Sequence, residues 1–223
     1  LQADVLNSTL EAEGMIAMGS DPRVDLSGNA EITMLDMRGL LPEFMKNRVP
    51  AHNSFSLNFK LQSPLYQPKK TFIDAHIRSD TIIIKPLSFS DINARIMTHG
   101  PDVWVQNFKA QVLEGTLQSN IRGTLTGKHF SFVADTLCRD ISVAKAVSCF
   151  NAKDTSLKGK IEGAVSLRGK YPDPLSLSGY GRFKINHANL GRLPLVNPLI
   201  IPISKLMYGN RNEILKESYC TFS

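Results

Sequence analysis

The chain has 223 residues, 42% of them hydrophobic and 21% charged, enough to bury a core and unlike a disordered or low-complexity segment. Its formal charge of +6 admits an anionic partner, but lysine and arginine are scattered singly, with Lys69-Lys70 the longest run, which argues for a solvated, mildly basic face and against nucleic acid. Three cysteines, Cys138, Cys149 and Cys220, with no CxxC offer neither a zinc site nor a disulfide framework, and whether Cys138 and Cys149 pair stays open.

In chain order, the opening LQADVLNSTLEAEG lacks the basic and then apolar regions of a signal peptide. A start on Leu1 rather than Met is what a fragment of a larger protein would show. The triplet NST at 7–9 matches a glycosylation sequon, a motif of high chance frequency. The first clear strand is VDLSGNAEITM, where Val24, Leu26, Gly28, Ala30, Ile32 and Met34 alternate with polar residues. LLPEFMKNR, around 41–48, predicts a short helix opened by Pro42. SFSLNFKLQS alternates without a miss: Phe55, Leu57, Phe59 and Leu61 on one side, Ser54, Ser56, Asn58, Lys60 and Gln62 on the other. FIDAHIR follows with Ile73, Ala75 and Ile77.

The alternation resumes in TLQSNIRGTL, with Leu117, Ile121, Gly123 and Leu125, and in HFSFVA, with Phe130, Phe132 and Ala134. RDISVAKAVSCF predicts a helix over 139–150 that begins at Asp140 as its cap. LKGKIEGAVSLRG places Leu157, Gly159, Ile161, Gly163, Val165 and Leu167 on one parity, and LSLSGYGRFKIN does the same for Leu175, Leu177, Gly179, Gly181, Phe183 and Ile185. Between these runs, SDPR, HGPD, LTGKH and KYPDPL carry turn residues. LPLVNPLIIPISKLMYG predicts a third helix over 193–208 that ends at Gly209; with the preceding LGR, its three prolines and two basic residues do not read as a membrane span. It either caps the apolar sheet or lies at a membrane surface, or gates a groove, with Lys205 at the polar edge.

The prediction is one β-rich domain over 1–223, with about ten to twelve mostly antiparallel strands. At roughly 4.8 Å per strand, such a sheet is a strip some 45 to 50 Å long with one continuous apolar face. It either closes as a sandwich or barrel that fills its own interior, or curls into a trough open to an apolar ligand. Alternation alone favours closure, because sandwiches are common and troughs rare.

Catalytic constellations are missing. GYGRFK has Lys184 where a dinucleotide fingerprint needs glycine and lies within a strand, and no GxSxG elbow occurs. His52, His76, His99, His129 and His187 stand singly, so no helical zinc pair forms. Asp74 and His76 share a strand face and read as outer polar surface rather than as an acid/base couple. No enzyme activity, catalytic residue, metal or cofactor is therefore expected.

The run MTHGPDVWVQNFKAQVLEGTLQSNIRGTLTGKHFSFVADTLCRDISVAKAV, followed by LKGKIEGAVSLRGKYPDPLSLSGYGRFKINHANLGRLPLV, resembles the carboxy-terminal region of AsmA-like proteins, TamB-type proteins among them. Ile185, Ala188, Leu190, Leu193 and Pro194 match the closing I-x-x-A-x-L-x-x-L-P of that pattern, and the likeness spans about residues 24–208. It reverses the preference for closure. It implies a long curved antiparallel sheet, a half-pipe with an apolar interior and two or three short helices. It further implies a periplasmic location, anchored to the inner membrane through a part of the parent protein not in this chain, and a role in moving phospholipid between inner and outer membranes in support of outer-membrane biogenesis and integrity.

On that reading the partner is phospholipid or another acyl-chain lipid, with envelope proteins as further partners and no nucleic acid. The groove comprises Leu57, Phe59, Leu61, Ile73, Ile77, Leu117, Ile121, Leu125, Phe130, Phe132, Ile161, Val165, Leu167, Leu177, Phe183 and Ile185. Gly123, Gly163, Gly179 and Gly181 on its floor would leave width for acyl chains or ease sheet curvature. The competing expectation is a non-enzymatic periplasmic scaffold for outer-membrane protein assembly that docks partners by strand addition.

Overall fold

The computed structural model describes residues 2–5, 8–33, 50, 53–127, 129–149, 158–171, 173–186 and 218–222. They form a single antiparallel sheet of twelve strands in strict sequence order. The strands are β1 (Gln2–Val5), β2 (Ser8–Ala17), β3 (Arg23–Thr33), β4 (Ser54–Pro64), β5 (Phe72–Ile84), β6 (Leu87–His99), β7 (Asp102–Val112), β8 (Gly115–Thr126), β9 (His129–Ser142), β10 (Lys160–Tyr171), β11 (Asp173–Asn186) and β12 (Ser218–Phe222). Most of the long strands are alternating segments, and each strand pairs with its successor in sequence, so no crossover is needed. β1 and β12 lie at opposite ends of this order, so the sheet is an open half-pipe and not a barrel.

Register fixes the faces, because directly opposed residues point the same way. One cross-strand row runs Ala12, Gly28, Phe59, Ala75, Ile96, Val105, Ile121, Ala134, Leu167, Gly179, from β2 to β11 without a polar residue. The next row towards the hairpin turns has Leu26, Leu61, Ile73, Thr98, Val103, Gly123 and Phe132. The opposite face carries Asn58, His76, Arg95 and Gln106 in one such row.

Curvature has a local source. Asp91, Asn107 and Asp140 take left-handed backbone conformations (φ 51°, 53° and 57°) where the registers of β6, β7 and β9 slip. Each is an Asx residue, the type that tolerates this region best, and each bulge adds local twist and bends its strand. Asn107 is further held by its N–H, which donates to Asn120 Oδ1 at 2.9 Å. Opposite the β6 bulge sits Ala110, fully buried, where a larger side chain has no room.

The β7–β8 turn puts both of its central residues, Leu113 and Glu114, at positive φ, 52° and 65°. That is the geometry of a two-residue hairpin built for Asn-Gly, and neither residue favours it. Tertiary contacts hold it: Ser142 N–H donates to Leu113 O at 2.9 Å, and Lys145 lies 3.8 Å from Glu114. The double substitution Leu113→Asn with Glu114→Gly is expected to raise stability by about 1 kcal/mol, read as a higher denaturation midpoint.

One α-helix occurs among the described residues, α1 (Val143–Cys149). The expected helix over 139–150 is thus shorter, because β9 continues through Ser142 and Asp140 lies at its bulge. Ser142 is the cap instead of Asp140, its Oγ accepting from Lys145 N–H at 3.4 Å. The helices expected near 41–48 and 193–208 lie outside the described residues. No described helix is long and apolar enough to cross a membrane.

Candidate functional site

All sixteen residues expected to form the groove lie on the apolar face. Leu57, Phe59, Leu61, Ile73 and Ile77 meet across β4 and β5. Leu117, Ile121, Leu125, Phe130 and Phe132 meet their partners across β8 and β9. Ile161, Val165 and Leu167 face Ile185, Gly181 and Gly179 of β11, with Phe183 opposite Gly163. Leu177 reaches the same face, since a Cβ on Gly169 would stand 3.3 Å from both its methyl and the Phe132 ring.

None of the sixteen is buried. Fourteen are half-buried, and Leu125 and Leu177 are exposed at 50% and 44%. A closed sandwich core would bury most of them, whereas a sheet with no second layer leaves them in this intermediate state. The fully buried apolar positions are mostly alanines between larger neighbours, such as Ala75 between Phe59 and Ile96. Among the described residues nothing forms a second layer over the apolar face.

The glycines differ from expectation in one respect. A Cβ on Gly123 would come within 2.5 Å of the Phe130 ring, and one on Gly163 within 2.5 Å of the Phe183 ring. The phenyl groups therefore lie over these glycines instead of leaving an open lane, the arrangement by which aromatic rings protect glycine-containing strands. Phe130 and Phe132 also lie nearly parallel, centroids 6.1 Å apart and planes at 16°. In Gly163→Val the new Cβ would stand 2.5 Å from both the Phe183 ring and the Arg182 carbonyl oxygen, and the substitution is expected to cost ~1–3 kcal/mol in denaturant unfolding.

Sequence reasoning missed the apolar residues of β6 and β7. Val103 and Val105 have odd parity, but beyond the bulge at Asn107 the same face is carried by Phe108, Ala110 and Val112. Phe89 and Ile92 are likewise separated by the bulge at Asp91. A parity change beside an Asn or Asp was the available signal.

The polar face is knit by cross-strand bonds. Arg95 binds both oxygens of Asp74, Nε to Oδ1 at 2.8 Å and Nη2 to Oδ2 at 2.6 Å. Asp74 is therefore held by arginine from the neighbouring strand. The bond from Arg95 holds the Asp74 carboxyl below its ordinary value, against a smaller opposing effect of burial, while the charges of Arg95, His76 and Lys60 lower it further. A depressed carboxyl stabilises the fold above its unfolded value of about 3.9 and loses that effect as pH falls through the lower folded value. Asp74→Asn is accordingly expected to flatten the decline of melting temperature between about pH 4 and pH 2. Shallow hollows also open on this side; one, about 950 Å³, lies among Lys109, Asn120, Asp135, Ser166, Tyr180 and Arg182, side chains of mixed charge and polarity.

No group of three or more potential metal ligands occurs among the described residues. Cys138 and Cys149 are free thiols; burial pushes the Cys138 thiol above its ordinary value, and its sulfur lies 3.5 Å from Gly163 O. No protein-family description, curated protein or solved structure matches the chain.

Proposed function

We propose that the chain is a hydrophobic-trough module that binds or conducts phospholipid by its acyl chains, without catalysing a reaction. The observation that carries this reading is the apolar face itself: it continues across the sheet from β2 to β11, and its large side chains stay accessible. Acyl chains need no directional bonds. They gain roughly 0.8 kcal/mol for each methylene removed from water while headgroups stay in solvent.

The likeness to AsmA-like and TamB-like proteins supports a place in the periplasm, where the module would carry lipid between inner and outer membranes with an anchor supplied by the parent protein. Twelve strands span only about 55 Å, so the trough is one stretch of a longer path. A scaffold that docks partner strands is the second reading, favoured by the open order of the sheet. β1 and β12, with four and five residues, offer little backbone for such docking.

The test is solvent extraction of the purified chain and mass spectrometry, beside a β-sandwich of equal size. Phospholipid well above the control is the expected result. Lipid at the control level would leave the scaffold as the better account.

A further inference from the structure

The geometry points to a second lipid contact, distinct from the trough: the tips of the β2–β3 and β4–β5 hairpins form a seat for an anionic phospholipid bilayer. Nine large apolar side chains are exposed among the described residues; Leu125 and Leu177 belong to the trough, and of the other seven all but Tyr180 sit at or beside hairpin turns on one long side of the sheet. On the opposite long side, where α1 packs, Asn53, Ile141 and Val143 are buried. Water-exposed apolar groups gathered on one side of an asymmetric sheet mark a contact surface.

The densest part is a corner made by two adjacent tips. Met15, Ile16 and Met18 are 67%, 64% and 79% exposed at the end of β2, and Tyr66 is 82% exposed beyond β4. The tips are joined, with Leu65 N–H donating to Pro22 O at 2.9 Å and Arg23 paired in register with Pro64. The second turn is rigid, since Gln67 and Lys70 N–H groups donate to the Pro64 and Gln67 carbonyls at 3.2 and 2.8 Å. The side chains are thus presented together on one platform.

Charge and size select the occupant. Segment 64–71, PLYQPKKT, sets Lys69 and Lys70 beside Leu65 and Tyr66 and contains no acid; on the neighbouring tip Arg23 is paired with Asp25 at 2.9 Å and Asp21 adds one negative charge, so the two tips together keep a net positive charge. Apolar groups for the acyl boundary, a tyrosine for the headgroup level and flexible lysines for phosphate are the composition of an interfacial anchor. A stable protein interface takes about 20 residues a side, more than two hairpin tips supply.

The test is flotation of the intact chain with vesicles of phosphatidylglycerol and phosphatidylcholine in equal parts, compared with phosphatidylcholine alone. Binding that requires phosphatidylglycerol and weakens in high salt is expected. Lys69→Glu with Lys70→Glu is expected to lower partitioning by at least ~30-fold. Met18→Ser with Tyr66→Ser, at positions too exposed to disturb folding, is expected to lower it by ~10-fold. Absent binding, equal binding to both vesicles, or tip variants that bind as the parent chain does would overturn the proposal. So would a dimer that the tip substitutions dissolve, because the occupant would then be a second copy. The trough reading fails separately: tip variants keep any co-purified lipid, whereas Ile121→Asp in the trough keeps vesicle binding.

Discussion

Ile121→Asp and Leu57→Asp are each expected to yield folded protein that has lost its lipid. Both positions lie on the apolar face and are half-buried, with part of each side chain in water, so a carboxylate there reaches solvent without a buried cavity being forced open. An acyl chain laid along Phe59, Ile96, Val105 and Ile121 would meet the new charge and lift off around it. Displacing about four methylenes at roughly 0.8 kcal/mol each removes ~3 kcal/mol, an affinity loss of ~100-fold or more. Asn58→Asp and Asn120→Asp place the same charge one residue away on the polar face and are expected to leave lipid content unchanged. Circular dichroism and lipid extraction on the four proteins separate the accounts: a closed core would unfold in the first pair, and a scaffold would show no difference between the pairs.

Asn53→Ala is expected to be the most destabilising of the polar substitutions, at ~2–4 kcal/mol. Asn53 is only 2% exposed and mimics one more residue of backbone pairing beside β5: its Nδ2 donates to Ile83 O at 2.8 Å, and its Oδ1 accepts from Ile83 N–H at 3.1 Å. Alanine leaves both Ile83 groups without their partner at a buried site, where each costs about 1–3 kcal/mol. The melting temperature should fall by ~5–15 °C. Ser79→Ala, which loses the 2.6 Å bond from Ser79 Oγ to Ser54 O at the same junction, should lower it by less. An Asn53→Ala protein as stable as the parent would show that solvent replaces these bonds and that the start of β4 is not pinned to β5.

Strand content and the identity of the apolar face were legible wherever alternation ran unbroken, as in SFSLNFKLQS, because a period of two leaves no choice of face. Openness was not legible. Phe59 in a trough and Phe59 in a sandwich give the same sequence pattern, and only its partial exposure on a face with no second layer among the described residues distinguishes them. The face across β6 and β7 was hidden by bulges: VWVQNFKAQV reads as broken alternation until Asn107 is placed at positive φ. The helix α1 was found but began late, since Asp140 and Ser142 are both good caps and only strand pairing of Ile141 with Ile161 chooses between them. The pairing of Asn53 with Ile83 joins residues thirty apart through a side chain and left no periodic trace.

The claim that acyl chains lie on the apolar face is tested most directly by site-specific photocrosslinking. A benzophenone side chain is placed in turn at positions 57, 121 and 167 and at their neighbours 58, 120 and 168, which point to the other side of the same strands. After irradiation of the chain with phospholipid, adducts at 57, 121 and 167 and their absence at the three neighbours are predicted. Equal labelling of both sets, or labelling confined to 58, 120 and 168, would contradict the account and move the lipid to the polar side of the sheet.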